Sequence, residues 1–388
     1  MSDIIVRVNR RAAQRVRDGH PWIFASDVAG RGSAAPGDVV RVRDTAGGLV
    51  GTAHYSSTSQ ICLRLLDTRA VTVDRAFYRE RLAAAIEYRR RIVNFTDACR
   101  LVYGEGDRLP GLVVDRYGDH LVIQALDQGM DRATPVILDC LQELVSPAAI
   151  VARNDAAVRS RENLPLEKRA LSGKAPETVA VRINGLVFHA DLLGGQKTGV
   201  YLDQRENYLA VARHARGRAL DCFTSCGGFA LHMASICETV EAADSSADAL
   251  RLAALNREAN GIDNVEFRQA DVFELLSGHV AAGRRFDTIV LDPPAFAKSR
   301  QAIDGAVRGY KEINLRALRL LGPGGVLVSC SCSHHVSEAL LLETVASAAL
   351  DAGRQLRVLE RRTQAQDHPI LLTVPETHYL KCLILEVV

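Results

Sequence analysis

Between residues 219 and 352 short apolar runs alternate with amphipathic stretches, and no other feature of this 388-residue chain constrains its fold as strongly. Runs at 219–223, 240–243, 265–269, 288–291 and 326–329 read as strands, whereas 229–237, 247–259, 309–321 and 337–352 carry helical spacing. Strand–helix alternation of this kind demands a parallel sheet with helices on both faces, and ligands then sit at the carboxyl ends of the strands. Two last runs, 355–360 and 379–387, have no full helix between them and suit a terminal antiparallel pair. The C-terminal half is therefore expected to be α/β, with a Rossmann-like sheet.

The front half obeys a different pattern. Pro36-Gly37-Asp38 and Asp44-Thr45-Ala46-Gly47-Gly48 are turn signals between short alternating runs, so residues 1–70 read as a small all-β module. A helix is expected over 73–93, strands over 112–115 and 120–125, a helix over 134–144 and a strand over 149–153. The segment 164–178, with Pro165, Gly173 and Pro176, is the best linker. Three domains follow: 1–70, 71–180 (a small α+β domain with its linker) and 181–388.

Composition narrows the function class. At 47% hydrophobic residues the chain can bury enough surface to offset its ordering entropy, which excludes disorder. No apolar run approaches the ~20 residues of a membrane span. The first twenty residues, with Arg7, Arg10, Arg11, Arg15 and Arg17, lack the apolar core of a secretory signal, so a cytoplasmic setting without membrane contact is expected. Net charge is +2, yet residues 1–110 hold 18 basic and 12 acidic side chains. That basic front half hints at nucleic acid, although 42 of the 48 cationic residues are arginine and a GC-rich coding bias gives the same count. Nine scattered cysteines suit neither a disulfide framework nor a zinc site, and no metal is expected.

Candidate chemistry collects at the strand ends. Asp221-Cys222-Phe223 closes the first strand and enters Thr224-Ser225-Cys226-Gly227-Gly228-Phe229, where paired glycines let backbone approach a ligand. Asp244 closes the second strand, Asp271 follows the third, and Asp292 closes the fourth within Asp292-Pro293-Pro294-Ala295-Phe296. An acid about 20 residues beyond a glycine turn suits a ribose diol. Gly-x-Gly-x-x-Gly is absent, so nothing seats a pyrophosphate; this excludes a nicotinamide oxidoreductase and favours a nucleoside cofactor, S-adenosyl-L-methionine. Taken singly, Asp244 and Asp271 are equally readable as caps of the helices that follow. Asp292 and its two prolines suit a planar base. Ser329-Cys330-Ser331-Cys332-Ser333 ends the fifth strand; Cys330 reads as a buried small hydrophobe and Cys332, at the mouth of the sheet, as a nucleophile. His334 and His335 follow it and read as spectators.

The sequence resembles the bacterial 23S ribosomal RNA 5-methylcytosine methyltransferases of the RlmI-like family along almost its whole length. The blocks that carry the likeness are Gly19-His20-Pro21-Trp22-Ile23-Phe24, Gly104-Glu105-Gly106-Asp107-Arg108-Leu109-Pro110-Gly111-Leu112, the segment from Gln196 to Arg205, and Arg308-Gly309-Tyr310-Lys311-Glu312-Ile313-Asn314. The resemblance implies an N-terminal PUA domain, a central α+β domain that helps hold RNA, and a C-terminal class I methyltransferase domain. It further implies that Asp221, Phe223, Gly227, Gly228, Phe229, Asp244, Ser245, Asp271 and Val272 hold the cofactor, with Tyr201, Gln204 and Arg205 closing over its methionine end. Asp292, Pro293, Pro294 and Phe296 would grip the base, Cys332 would attack it, and Lys197, Arg308 and Lys311 would touch RNA. The implied partner is 23S ribosomal RNA or a pre-50S particle, and a homodimer is compatible. Ala295 departs from the two-cysteine enzymes, which carry a second cysteine after the motif proline. Methylation of a guanine ring nitrogen or of uracil carbon 5 stays open as an alternative, as does a non-enzymatic RNA-binding or assembly role. Cys332 argues against the guanine reaction, which needs no such thiol, and the intact acids argue against a decayed scaffold.

Overall fold

The computed structural model describes residues 4–194, 200–297 and 299–388, and the chain divides into two compact units. The first unit comprises the described part of Met1–Val181 and Ala190–Gly199 together with Gln366–Thr377. It opens with β1 (Ile5–Val8), α1 (Arg10–Arg17), β2 (Trp22–Phe24), β3 (Val28–Gly30), β4 (Val39–Asp44), β5 (Leu49–Tyr55) and β6 (Ile61–Asp67). These strands form a six-stranded sheet in the order β2-β6-β5-β4-β1-β3. Alternation places Val6, Val8, Val40, Val42 and Leu63 on one face, where they pack with Ala12, Ala13 and Val16 of α1. Helix α1 is a departure from the expected all-strand module. Its sequence is mostly arginine and glutamine with three small apolar residues, and it is started by Asn9, whose side chain accepts from the Ala12 amide at 2.8 Å.

The unit continues through α2 (Arg75–Ile92), β7 (Ala98–Tyr103), β8 (Leu112–Tyr117), β9 (His120–Ala125), α3 (Gln128–Val145), β10 (Ala149–Asn154), α4 (Val158–Arg161) and β11 (Glu167–Ser172). The sheet order is β11-β10-β9-β8-β7, covered by α2 and α3 through Leu82, Val114, Ile123, Ile137 and Leu141. Strand β11 lies inside the expected linker and pairs antiparallel with β10 from Ile150↔Ser172 to Asn154↔Glu167. Its mostly polar residues, Glu167, Lys168 and Arg169 among them, conceal it from a pattern reading, because an edge strand is held by ladder hydrogen bonds more than by apolar burial. Helix α3 starts before the expected residue 134. Asp127 caps it by accepting from Gly129 and Met130 amides, and Pro135 falls within its body. Segment 366–377 is tied into this unit by Asp367, whose carboxylate accepts from the Arg100 amide at 2.9 Å and whose carbonyl accepts from the buried Arg89 guanidinium at 2.7 Å.

A two-stranded ribbon, β12 (Val179–Ile183) and β13 (Leu186–Ala190), is followed by the elements of the second unit. These are α5 (Arg205–His214), β14 (Arg218–Cys222), α6 (Gly228–Met233), β15 (Thr239–Asp244), α7 (Ala247–Ala259), β16 (Val265–Gln269), α8 (Val272–Ala281) and β17 (Phe286–Leu291), then α9 (Ile303–Leu320), β18 (Leu321–Ser331), α10 (Glu338–Asp351), β19 (Leu356–Arg362) and β20 (Lys381–Val387). Their seven-stranded sheet runs β16-β15-β14-β17-β18-β20-β19. The first five strands are parallel, and β20 runs antiparallel to both β18 and β19, as the terminal pair was expected to do. Between β14 and β17 the strand order reverses, which opens the crevice characteristic of doubly wound sheets. Leu220, Ile289, Leu291 and Leu327 pack with Ile313, Leu318 and Val345 of α9 and α10 in one core of the unit.

Ile289 is fully buried in β17, whereas Leu372 is 99% exposed. Ile289→Ala should therefore lower the unfolding free energy by about 2–5 kcal/mol, with Leu372→Ala within about 0.5 kcal/mol of the parent, as read from urea denaturation.

Candidate active site

The parallel register sets the strand ends side by side. Asp221 faces Ala242 of β15 and Val290 of β17, while Leu291 faces Ser329 of β18. The loop after β14 is held in an unusual shape, with left-handed backbone at Phe223 (φ 65°), Ser225 (φ 51°) and Gly227 (φ 87°). Strained backbone persists where its surroundings over-determine it, and here Asp221 does much of that. One of its oxygens accepts from the Thr224 hydroxyl at 2.6 Å and from the Ala230 amide at 3.0 Å, clasping both ends of the loop. The other oxygen is buried and has no hydrogen-bond partner among the described residues. Burial pushes the Asp221 carboxyl up to about 7, and the Asp292 and Asp244 charges add to the rise, while the two hydrogen bonds oppose it.

The remaining acids divide. Asp244 accepts from the Ser225 amide and from the Ser246 amide, each at 2.9 Å. It does not cap α7, because Ser246 fills that place by accepting from Ala249. Asp271 is the cap of α8, accepting from the Glu274 amide at 3.1 Å, so the capping reading applies to it. Val272 beneath it is buried, and Ser245 is exposed, its carbonyl accepting from Gln269 at 3.1 Å. A carboxylate has about four lone-pair sites, so Asp244 and Asp271 both keep acceptor capacity for hydroxyls.

The glycine pair serves packing as well as loop shape. A side chain at Gly228 would meet the Tyr208 ring at 2.4 Å, and Phe229 is buried against the same ring with centroids 4.8 Å apart. Phe223 is half-buried on the core. Tyr201 is half-buried, its carbonyl accepting from the Tyr208 hydroxyl at 3.2 Å, and burial near Asp292 and Asp203 raises its phenol. Gln204 and Arg205 are buried, Gln204 accepting from Asn207 at 2.7 Å. Lys197 lies outside the described residues.

Across the crevice, Asp292 is half-buried, Pro293 buried and Pro294 exposed. The Asp292 amide donates to the Cys222 carbonyl at 3.3 Å, which fixes the turn to β14. Phe296 packs between Phe273 and Tyr310, at 6.1 and 4.8 Å between centroids, so its ring belongs largely to the core. Of nine cysteines, eight are buried and Cys332 alone is half-exposed, its Sγ 3.9 Å from the Pro293 carbonyl. Cys330 lies opposite Cys382, and the hydrogen bond between the two thiols, with burial, drives the Cys330 thiol far above the ordinary range. Arg308 is exposed on α9, and Lys311 is ion-paired with Asp351 at 2.7 Å.

Three residues that pattern reading did not single out shape this corner. Tyr310 hydrogen-bonds to Ser331 at 2.9 Å and to Ser333 at 3.0 Å, bracketing Cys332, and the Ser333 hydroxyl also accepts from the Ala297 amide at 3.2 Å. The only advance signal was the presence of Tyr310 within a quoted block and the serines flanking the cysteine.

Comparison with known proteins agrees with this geometry. Residues 6–68 match the family model of PUA-like domains, and residues 132–384 match that of S-adenosylmethionine-dependent methyltransferases. The chain is 40% identical over 372 residues to ribosomal RNA large subunit methyltransferase I of Cronobacter sakazakii, covering 93% of this chain and 94% of that protein. The protein of the same name from Klebsiella pneumoniae is 40% identical over 371 residues, covering 93% of each chain. Among solved structures, SMU.776, described as a candidate methyltransferase complexed with SAH, superposes with a TM-score of 0.86 at 19% identity, covering 99% of this chain and 100% of that one. A candidate SAM-dependent methyltransferase from Streptococcus mutans gives 0.85 at 19% identity, with the same coverage.

The Asp221 carboxyl generates a prediction with a definite sign. Its ordinary value is near 4, and in the fold it is pushed up to about 7. Folding thus favours its neutral form, and that contribution is whole below about pH 4 and is lost as pH rises through about 7. Asp221→Asn carries no charge at any pH. Its melting temperature relative to the parent should climb between about pH 4 and about pH 7 and level off above; parallel melting curves across that range would contradict the raised carboxyl.

Proposed function

The chain belongs to the ribosomal RNA large subunit methyltransferase I family, S-adenosylmethionine-dependent enzymes carrying a PUA-like domain, and on that premise we propose that it forms 5-methylcytosine in 23S ribosomal RNA through a covalent adduct between Cys332 and carbon 6 of the base. The observation that carries the reading is the placement of Cys332: the one cysteine not buried, beside the Asp292-Pro293-Pro294 turn, at the carboxyl end of a doubly wound sheet.

The cofactor site fits its assigned occupant. The unpartnered buried oxygen of Asp221 suits the methionine ammonium, and the spare acceptor positions of Asp244 suit the ribose hydroxyls. Asp271 and Val272 lie at the next strand end for the adenine, with Ser245 between, and Tyr201, Gln204 and Arg205 line the methionine side. When bound, S-adenosylmethionine supplies a methyl group on a sulfonium, a strong electrophile.

The protein's own groups then answer the difficulty that carbon 5 of cytosine is a poor nucleophile. The Cys332 thiolate adds to carbon 6, and the ring's electron pair moves toward nitrogen 3, where Asp292 donates a proton. Carbon 5 becomes enamine-like and takes the methyl group. Loss of the carbon 5 proton, return of the nitrogen 3 proton to Asp292 and departure of the thiolate restore the ring. Pro293 and Pro294 stiffen the strand end so that Asp292 and the adjacent carbonyls meet a base in fixed geometry. Because the base must leave its stack, the target is a flipped or single-stranded nucleotide. The rigid loop around Cys332, held by Tyr310, limits the entropy of alignment.

Residues 1–70 and 71–180 are assigned to holding the RNA, supported by the basic excess of the first 110 residues and by the PUA-like match. The substrate is taken to be 23S RNA, free or within a pre-50S particle, in the cytoplasm. Among the described residues no helix is long and apolar enough to cross a membrane.

Incubation with unmodified large-subunit RNA and labelled cofactor should place the label on carbon 5 of a cytosine; label on a guanine nitrogen or on uracil selects the corresponding alternative. Cys332→Ala should abolish transfer while leaving cofactor affinity nearly unchanged, and Asp292→Asn should lower kcat by roughly 10²–10⁴-fold. RNA bearing 5-fluorocytosine should trap an adduct that survives denaturation, and its absence would remove attack at carbon 6.

A further inference from the structure

Lys381 opens β20, opposite Ser331 of β18, and is only 4% exposed. Its ammonium donates to the Ser333 carbonyl and to the Tyr379 carbonyl, each at 2.8 Å, and no described carboxylate lies within ion-pairing distance of it. A buried ammonium held by two carbonyls and no anion is an incomplete arrangement, since buried charges are ordinarily paired. The carbonyl it grips belongs to the residue directly after Cys332. Resting on the assignment of Cys332 as nucleophile, we propose that Lys381 is the positioning residue that holds this cysteine as a thiolate, its buried ammonium being the counter-charge to the sulfur anion.

The balance is simple: the thiol proton leaves to water, the ammonium keeps its three protons, and the sulfur gains a cationic neighbour. Burial pulls the Lys381 ammonium down to about 8, while the charges of Cys332 and Glu338 oppose that fall, so the lysine remains mainly charged at neutral pH. The other ionisable groups around this corner do not do the same work. Asp292 is an acid and opposes the thiolate, Tyr201 and Tyr310 have phenols raised by burial, and Glu338 is already paired with Arg361. His334 is exposed on the loop and stacks edge-on with His335 at 5.7 Å.

The test is alkylation of the full-length protein by iodoacetamide across a pH series, with the Cys332 peptide quantified by mass spectrometry and Cys332→Ser as the blank. In the parent protein the midpoint of reactivity should fall below the ordinary thiol value of about 8.5. Lys381→Met should raise that midpoint by about one pH unit or more, and Lys381→Arg should keep it low. A merely structural lysine would alter the melting temperature and leave the midpoint in place, and an unmoved midpoint in folded Lys381→Met overturns the proposal. If the methionine variant does not fold, the parent protein decides alone, because a midpoint at or above about 8.5 overturns it equally. Methyl transfer surviving in Cys332→Ala would instead overturn the nucleophile assignment, and the two failures are read in separate experiments.

Discussion

Everything at the site depends on the parallel register of β14, β17 and β18. Leu291 stands level with Cys222 on one side and Ser329 on the other, so the chain beyond each strand emerges at one edge. Asp221 and Asp292, far apart in sequence, thereby come close enough for the Asp292 charge to raise the Asp221 carboxyl. The amide of Asp292 donating to the Cys222 carbonyl extends the ladder one step past the regular strand. A one-residue slip would exchange the two buried faces of a strand and send the acids to the wrong side. The apolar run of each strand, Ile289-Val290-Leu291 most clearly, therefore encodes the site as firmly as the acids do.

Burial then sorts chemically similar groups into different roles. Cys222, Cys226 and Cys330 share the sheet end with Cys332, but full burial drives the thiols of Cys222 and Cys226 upward, Cys226 to about 12, and a hydrogen bond with Cys382 together with burial raises that of Cys330. A thiol that cannot ionise cannot attack. Cys332 is half-exposed because it lies one residue past β18, where the chain leaves the core, and Tyr310 clamps the serines on both sides. The same desolvation makes Asp221 a brace with a reluctant charge, whereas Asp244 is half-buried and accepts from two amides.

How far the sequence foretells this differs by element. The parallel sheet and the acids in phase with its strand ends were legible, because strand burial on both faces leaves continuous apolar runs with turn chemistry after them. Helix α1 was not, since Ala12, Ala13 and Val16 are too small to outweigh its arginines in a periodicity reading. Strand β11 hid in a polar edge, and α8 between Asp271 and β17 was not marked, although Asp271 was named as a cap. The resemblance implies that Phe296 meets the base, and its half-buried ring also packs with Phe273 and Tyr310, a contact that local pattern does not contain. Lys381 could not be found in advance. Its significance arises only when β20 returns antiparallel beside β18, a pairing between residues 50 apart that local pattern does not contain.

The charge of the first 110 residues needs the same structural correction. Many of its arginines already have anionic partners: Arg15 with Asp27, Arg81 with Asp67, Arg89 with Asp107 and Arg100 with Asp115. Several are also largely buried, Arg89 at 2% exposure being the extreme, and buried pairs of this kind hold the fold rather than meet solvent. The cations that are exposed and in no ion pair among the described residues are fewer: Arg7 in β1, Arg10, Arg11 and Arg17 on α1, Arg31, and Arg91 at the end of α2. Each phosphate neutralised contributes roughly 0.7 to the salt dependence on single-stranded RNA, so a handful of exposed arginines gives binding that salt weakens readily. Generic attraction of that size brings RNA to the protein without choosing a nucleotide. On the proposed mechanism, selection then comes from shape and from the cost of extruding one base into the corner between Asp292 and Cys332.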